Sequence, residues 1–247
     1  MIHKFNITEV ADILGVNSFT LRRWDESGVF KANRDSSTSH RYYFEDDITN
    51  FLLNNFKYFL DIAVKWSFSN KAIYVPSKFY CADSSIFKAR LDMLANILKK
   101  DSSIGESFSL ITSVVAEIGK NSFDHNIGQW PDIKGIFFGY CLNERKIILA
   151  DRGQGILTTL KRVRPNLKND KDALVVAFTE VITGRDPEHR GNGLKYVRKV
   201  ICDTQMHLWF HSGNGAIDFS DDIDDFSAID IERYMAGCFV MLDYKLI

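Results

Sequence analysis

Glu117, Asn121 and His125 recur every four residues, so on a helix they stack along one stripe. Ile111, Val114, Val115, Ile118 and Phe123 supply an apolar face to that same helix, expected over residues 110–126. An acid, an amide and an imidazole on a core-facing helix cost free energy unless they meet partners. A cleft holding a metal ion and phosphates supplies such partners; a solvated helix edge is the competing explanation. Further along, Lys146 to Ala150 is a β-type apolar run that delivers Asp151, with Gly153 and Gly155 behind it. An acid at the end of a buried strand, beside glycines that admit a close backbone approach, suits recognition of the exocyclic amine of a base. A tight turn explains Asp-x-Gly-x-Gly equally well. A third group, Gly191-Asn192-Gly193-Leu194, opens a helix running through Val200. Glycines there leave backbone N–H groups free to hold phosphate oxygens at the positive end of the helix dipole, and a flexible capped loop is the plain alternative.

The order and spacing of the three groups decide between these explanations. Glu-x-x-x-Asn, then a strand with Asp-x-Gly-x-Gly, then Gly-x-Gly-Leu at a helix start resembles the N, G1 and G2 boxes of the gyrase/Hsp90/histidine-kinase/MutL ATPase superfamily. His211-Ser-Gly-Asn-Gly215 and the run from Gly237 to Leu242 are similar to its last strands, so the resemblance covers residues 73–247. It implies an α/β sandwich with helices on one face of a mixed sheet, and ATP and Mg²⁺ as ligands. Carried over box by box, Asn121 ligates Mg²⁺, Asp151 binds the adenine amine, and Gly153 and Gly155 shape that wall. Gly191, Asn192 and Gly193 meet the phosphates, the stretch from Gly155 to Gly191 is the lid, and Asp124, His125, Ile156 and Leu194 also line the nucleotide. Asn-Ser-Phe-Asp at 121–124 resembles the gyrase and MutL branches, in which the acid at the Glu117 position is the general base. His125 and Gly-x-Gly-Leu-Lys resemble the kinase and anti-sigma branch. Self-phosphorylating histidine kinases carry a phosphoacceptor His on a helix well upstream of the N box, and no histidine lies between His40 and His125, which excludes self-phosphorylation on that pattern.

The elements that position these groups follow a different amino-terminal region. Asn6-Ile7-Thr8-Glu9 is a capping box, with Ile7, Val10, Ala11 and Leu14 at helical spacing until Gly15. Asn17-Ser18 caps a second helix, residues 19–27, that Gly28 ends. Residues 29–44 read as a hairpin wing closing on Arg41-Tyr42-Tyr43-Phe44, and Glu45-Asp46-Asp47 starts a third helix. These pieces resemble the winged helix-turn-helix of the MerR and excisionase families. The resemblance implies that Thr20, Arg22 and Arg23 face the major groove of double-stranded DNA, while Lys31, His40, Arg41 and Tyr42 touch phosphates from the wing. Through Tyr43 there are six basic and five acidic residues, a weak attraction for DNA that a homodimer would double.

The expected organisation is α+β: a winged helix-turn-helix over 1–55, an aromatic linker helix over 56–71, and the ATP-binding domain over 72–247. Within the last, Ala72 to Val75 is expected as a strand, and residues 84–100 as a helix with Ile86, Leu91, Leu94, Ile97 and Leu98 on its apolar side. A net charge of −1 in 247 residues gives no global pull toward nucleic acid, so any contact is a local patch. Four scattered cysteines without a CxxC pair argue against a zinc site or a disulfide framework. No apolar run approaches eighteen residues and Met1 to Val10 lacks a signal-peptide layout, so a cytoplasmic location without membrane association is expected. The expected function is a nucleotide-responsive DNA-binding regulator. The competing expectations are an anti-sigma-like protein kinase and a slow MutL-like ATPase clamp. The aspartates from Asp218 to Asp230 are either a solvated loop or a brake competing with DNA for the wing.

Overall fold

The computed structural model describes residues 3–181, 192–219 and 226–244. Strand β1 (Phe5–Asn6) runs into helix α1 (Ile7–Leu14). Asn6 Oδ1 accepts the N–H groups of Thr8 at 2.9 Å and Glu9 at 3.1 Å, and the Glu9 carboxylate accepts Asn6 N–H at 2.7 Å. Gly15 ends the helix in the left-handed region at φ 66°, where a side chain would be strained. Helix α2 (Ser18–Ser27) follows under an Asn17 cap. Strands β2 (Asn33–Arg34) and β3 (Arg41–Tyr43) make the wing, and β1 pairs with the other side of β3 in an antiparallel three-stranded sheet. Asp47 starts α3 (Glu45–Asn54) by accepting Phe44 N–H at 2.9 Å. Helix α4 (Phe56–Phe68) completes this half.

The second half is built on a sheet of β4 (Tyr80–Cys81), β5 (Ile136–Cys141), β6 (Lys146–Asp151), β7 (His207–Phe219) and β8 (Ala228–Asp243). Their spatial order is β4-β5-β6-β8-β7. The helices are α5 (Ser84–Lys100), α6 (Phe108–Asn126), α7 (Gly155–Lys161), α8 (Asp170–Thr179) and α9 (Gly193–Cys202). Every described pairing is antiparallel, which corrects the expected mixed sheet. The physical reason is connectivity. Strands β5 and β6 form a hairpin, and the helical excursion after β6 returns the chain to the far edge at β7, leaving β8 to run back between them.

Alternation along the strands divides the core. Ile147, Leu149, Val240 and Leu242 face α5, α6, α8 and α9. Phe137, Ile148, Ala150 and Phe239 face the other way, into one continuous cluster with Phe59, Ile62, Ala63 and Trp66 of α4 and the whole interior of the helix-turn-helix. Helices therefore cover both faces of the sheet rather than one, and residues 56–68 are part of the core between the two halves.

Three local expectations are corrected as well. Ala72 to Val75 form no strand; Pro76 lacks a donor, and Tyr74 instead packs on Phe5 and donates its hydroxyl to Glu45. On α5 the buried residues are Phe87, Leu94 and Leu98, while Ile97 is exposed. The described part of the expected lid is folded as α7 and α8, with Leu174 and Phe178 of α8 buried in the core. Its remainder, including Gly191, lies outside the described residues, as do Asp221, Asp222, Asp224 and Asp225 of the acidic stretch. Among the described residues no helix is long and apolar enough to cross a membrane.

Candidate functional site

Two clusters of the expected residues come together, one on each side of the molecule's core. In the first half, α2 exposes Arg22 and Arg23 while Leu21 just before them is fully buried. Thr20 is half-buried at the helix start, where Asn17 Oδ1 accepts its N–H at 2.7 Å and its hydroxyl at 3.0 Å. Lys31 and His40 are exposed on the wing, and the Tyr42 ring lies 4.3 Å from Lys4 Nζ. Arg41 is placed differently from the expectation of a free phosphate contact. Its Nε donates to Asp25 Oδ2 at 2.6 Å, and Arg34 Nη2 reaches the same oxygen at 2.8 Å. Burial opposes ionisation of Asp25, but the Ala32 N–H bond, the Arg41 bond and the two guanidinium charges outweigh it and hold the carboxyl below its usual range. Arg41 thus fastens the wing to α2. At the wing tip the Asp35 carboxylate accepts the Ser37 and Thr38 hydroxyls and both their N–H groups, which hold its pKa well below normal.

In the second half, Glu117, Asn121 and His125 form the half-buried stripe on α6, and α9 begins directly opposite. A Cβ on Gly193 would stand 2.6 Å from Glu117 Oε2 and 3.3 Å from Asn121 Nδ2. The acid and the amide therefore border the amino-terminal end of α9, where free N–H groups and the helix dipole favour anions. Asn192 is exposed beside them, Leu194 packs into the core, and Tyr196 Oη lies 2.7 Å from Ser113 Oγ, joining α9 to α6.

Asp151 ends β6 only 2 % exposed. Its Oδ2 accepts Ser122 Oγ–H at 2.8 Å and its Oδ1 accepts Gly153 N–H at 2.9 Å. Burial pushes its pKa up to about 6, against the lowering effect of these bonds. Gly153 is required by close approach, since a Cβ there would lie 2.1 Å from Asn126 Nδ2. Asn126 in turn accepts Gln154 N–H at 2.9 Å. Gly155 opens α7 with φ 75°, and Ile156 N–H donates to Ser212 Oγ at 3.0 Å, tying the turn to β7. Asp124 and His125 are half-buried on the last turn of α6, where His125 O accepts the Gln154 side chain at 3.3 Å.

Ser122, Asn126, Arg152 and Ser212 are the residues of this cluster that spacing alone did not single out. Ser122 and Asn126 stand four apart, one position around from the Glu117 stripe, a second polar stripe that could have shown them. Nothing local marks Arg152 or Ser212, whose partners lie 83 and 56 residues away. Among the described residues no three His, Cys, Asp or Glu side chains gather as a metal site. Asn121 and Glu117 would thus hold a Mg²⁺ ion only together with phosphate oxygens and water, which is how that ion is commonly bound.

Comparison with known proteins bears on the first half. Residues 5–60 match the family model described as MerR HTH family regulatory protein; they form a MerR-family helix-turn-helix domain, extending a few residues into α4. The chain is also 44% identical over 48 residues to the Type II methyltransferase M.Eco47II of Escherichia coli. That match takes in 19% of this chain and 12% of the enzyme's length.

Proposed function

We propose that the protein is a DNA-binding regulator whose helix-turn-helix domain answers to a purine nucleotide, ATP with Mg²⁺, held between α6, the turn after β6 and the start of α9. The observation that carries this reading is the convergence of three distant segments. Glu117 and Asn121 face Gly193, Ser122 bonds Asp151, and Asn126 fills the space over Gly153. In this reading Asp151 accepts the amine of the base and Asn121 takes the metal with the phosphates. The N–H groups at Asn192 and Gly193 meet phosphate oxygens. Arg22 and Arg23 read base edges from α2, and Lys31, His40 and Tyr42 meet the backbone from the wing. The near-neutral charge of the domain makes a homodimer the effective binding unit.

Calorimetric titration with ATP, with and without Mg²⁺, tests the first half of the reading, and DNA affinity measured in the same two states tests the second. Metal-dependent ATP binding together with an ATP-linked change in DNA affinity is expected. A protein that takes up no nucleotide refutes the reading. The position of the Glu117 carboxylate beside α9 also favours slow hydrolysis, with Glu117 as general base. Glu117→Ala would then keep ATP bound and lose turnover, whereas Asn121→Ala would weaken Mg²⁺-dependent binding itself. Transfer of labelled γ-phosphate to a protein would instead mark a kinase.

A further inference from the structure

We infer that Arg152 is the positioning residue through which occupancy of the nucleotide cleft reaches the helix-turn-helix domain; the inference rests on the reading above. Arg152 lies between Asp151 and Gly153, but its side chain leaves the sheet on the opposite face, as strand alternation requires. There it is buried, 7% exposed, at the carboxy-terminal end of α4. Its Nη1 donates to the carbonyls of Trp66 and Ser67, its Nη2 to that of Ser69 at 2.7 Å, and its Nε to Asp132 Oδ2 at 2.8 Å. The last carbonyls of a helix have no partner within the helix and form its negative pole. One guanidinium fork therefore closes the end of α4, and Asp132 balances its charge.

The backbone on either side of Arg152 is held to α6 from the other face. Ser122 bonds Asp151, Gly153 N–H bonds Asp151, and Gln154 N–H bonds Asn126. A base whose amine donates a hydrogen bond to the Asp151 carboxylate must share an acceptor whose two oxygens already serve Ser122 and Gly153. Adjustment of this tripeptide moves the anchor of the guanidinium. Helix α4 transmits that movement as a rigid element, because Phe59, Ile62, Ala63 and Trp66 are fully buried and α1 and α3 pack directly on it. Asn55 Nδ2 donates to Phe51 O at 2.8 Å across the α3–α4 junction. Phe68 at the other end of α4 stacks near His211 and Phe239, so the end that moves also borders the last strands.

Arg152→Lys tests this, since lysine keeps the charge but offers a point donor in place of the planar fork. Three quantities are measured on wild type and variant: ATP affinity, DNA affinity without nucleotide, and the ratio of DNA affinities with and without MgATP. A ratio in the usual range of allosteric coupling, about 5- to 150-fold, is expected for wild type. In Arg152→Lys the ratio should fall toward one while the two separate affinities stay close to wild type, an outcome that a purely structural cap would not give. A variant that keeps the full ratio overturns the inference and leaves the functional reading standing. A wild type that binds ATP without any change in DNA affinity overturns that reading, and the inference with it. Hydrogen exchange on wild type covers a variant that does not fold. On MgATP addition, altered protection should run from residues 151–156 to residues 65–69 and on into α3. Changes confined to α6, the 151–156 turn and α9 overturn the inference.

Discussion

Asp151 is an acid that its surroundings bring close to neutrality. Burial raises its pKa to about 6 from an unfolded value of 3.8, while Ser122 and the Gly153 N–H still favour the charged form. With the folded pKa the higher one, its contribution to stability is complete below pH 3.8 and is lost as the pH rises to about 6. The ligand asks for the opposite, because only the ionised carboxylate accepts from an amine with both oxygens. ATP affinity should therefore weaken as the pH falls through about 6, and Asp151→Asn should flatten both that profile and the stability loss between pH 4 and 6. At neutral pH the same change should lower affinity by about 1.5–3 kcal/mol, roughly ten- to hundredfold. Calorimetry between pH 5 and 7.5 reads both effects, and a folded Asp151→Asn protein with unchanged binding removes Asp151 from the site. Gly153→Ala should cost about 1–3 kcal/mol of stability through overpacking against Asn126, recovered in part by Asn126→Ala, as thermal unfolding of the double variant would show. Asp151 and its glycines were legible because strand alternation and Asp-x-Gly-x-Gly are local patterns. Arg152 and Ser212 act on residues remote in sequence, so no local spacing announces them.

Among the elements, the wing shows how far local signals reach. Asn6, Gly15, Asn17 and Gly28 bound their helices as the sequence indicates, because caps are satisfied within a few residues. Strand β1 consists of two residues paired with β3, and β5 carries buried residues at almost every position; neither presents an alternation to find. Residues 155–179 were expected to cover the nucleotide, yet α8 is core, since Leu174 and Phe178 meet partners on β7 that only the folded chain brings near. The same distinction separates the wing's arginines. Arg41 is bound to Asp25, so Arg41→Ala and Asp25→Ala should both lower the melting temperature and loosen the wing. Loss of DNA affinity in these variants should follow from the wing's disorder, not from a lost phosphate contact. Arg22→Ala with Arg23→Ala should leave the melting temperature unchanged and weaken specific DNA binding, each base-edge contact being worth about 1–3 kcal/mol. Binding to specific and scrambled duplexes, compared with thermal unfolding of the same proteins, separates the two roles. An Arg41→Ala protein of wild-type stability that binds every sequence more weakly would return Arg41 to the phosphate backbone.

At the scale of the molecule, α4 decides whether the chain is two bodies or one. The aromatic stretch reads in sequence as a helix packing between the two domains or as plain core, and Phe59 and Trp66 do rest on Phe79 and Phe137 and share a single cluster with Leu14, Phe51 and Leu52. Lys65 lies so near α1 that a Cβ on Gly15 would meet its Nζ at 2.3 Å. The helix-turn-helix thus has no separate floor: its core continues through α4 into the sheet. Two elements that share one hydrophobic cluster lose it together, which predicts a single cooperative transition on heating. Trp66→Ala, which empties a site at the centre of the cluster, should cost about 3–5 kcal/mol. That loss should appear equally in amides of α1–α3 and of β5–β6 when hydrogen exchange follows the variant's unfolding. Truncation after α4 should give a poorly soluble fragment, because the faces of Phe59, Ile62, Ala63 and Trp66 would then be open to water. If Trp66→Ala lowered the stability of the sheet while α1 to α3 kept their wild-type protection, the shared core would be a contact between independent domains. Helix α4 would then have no rigid path along which a nucleotide could reach the wing.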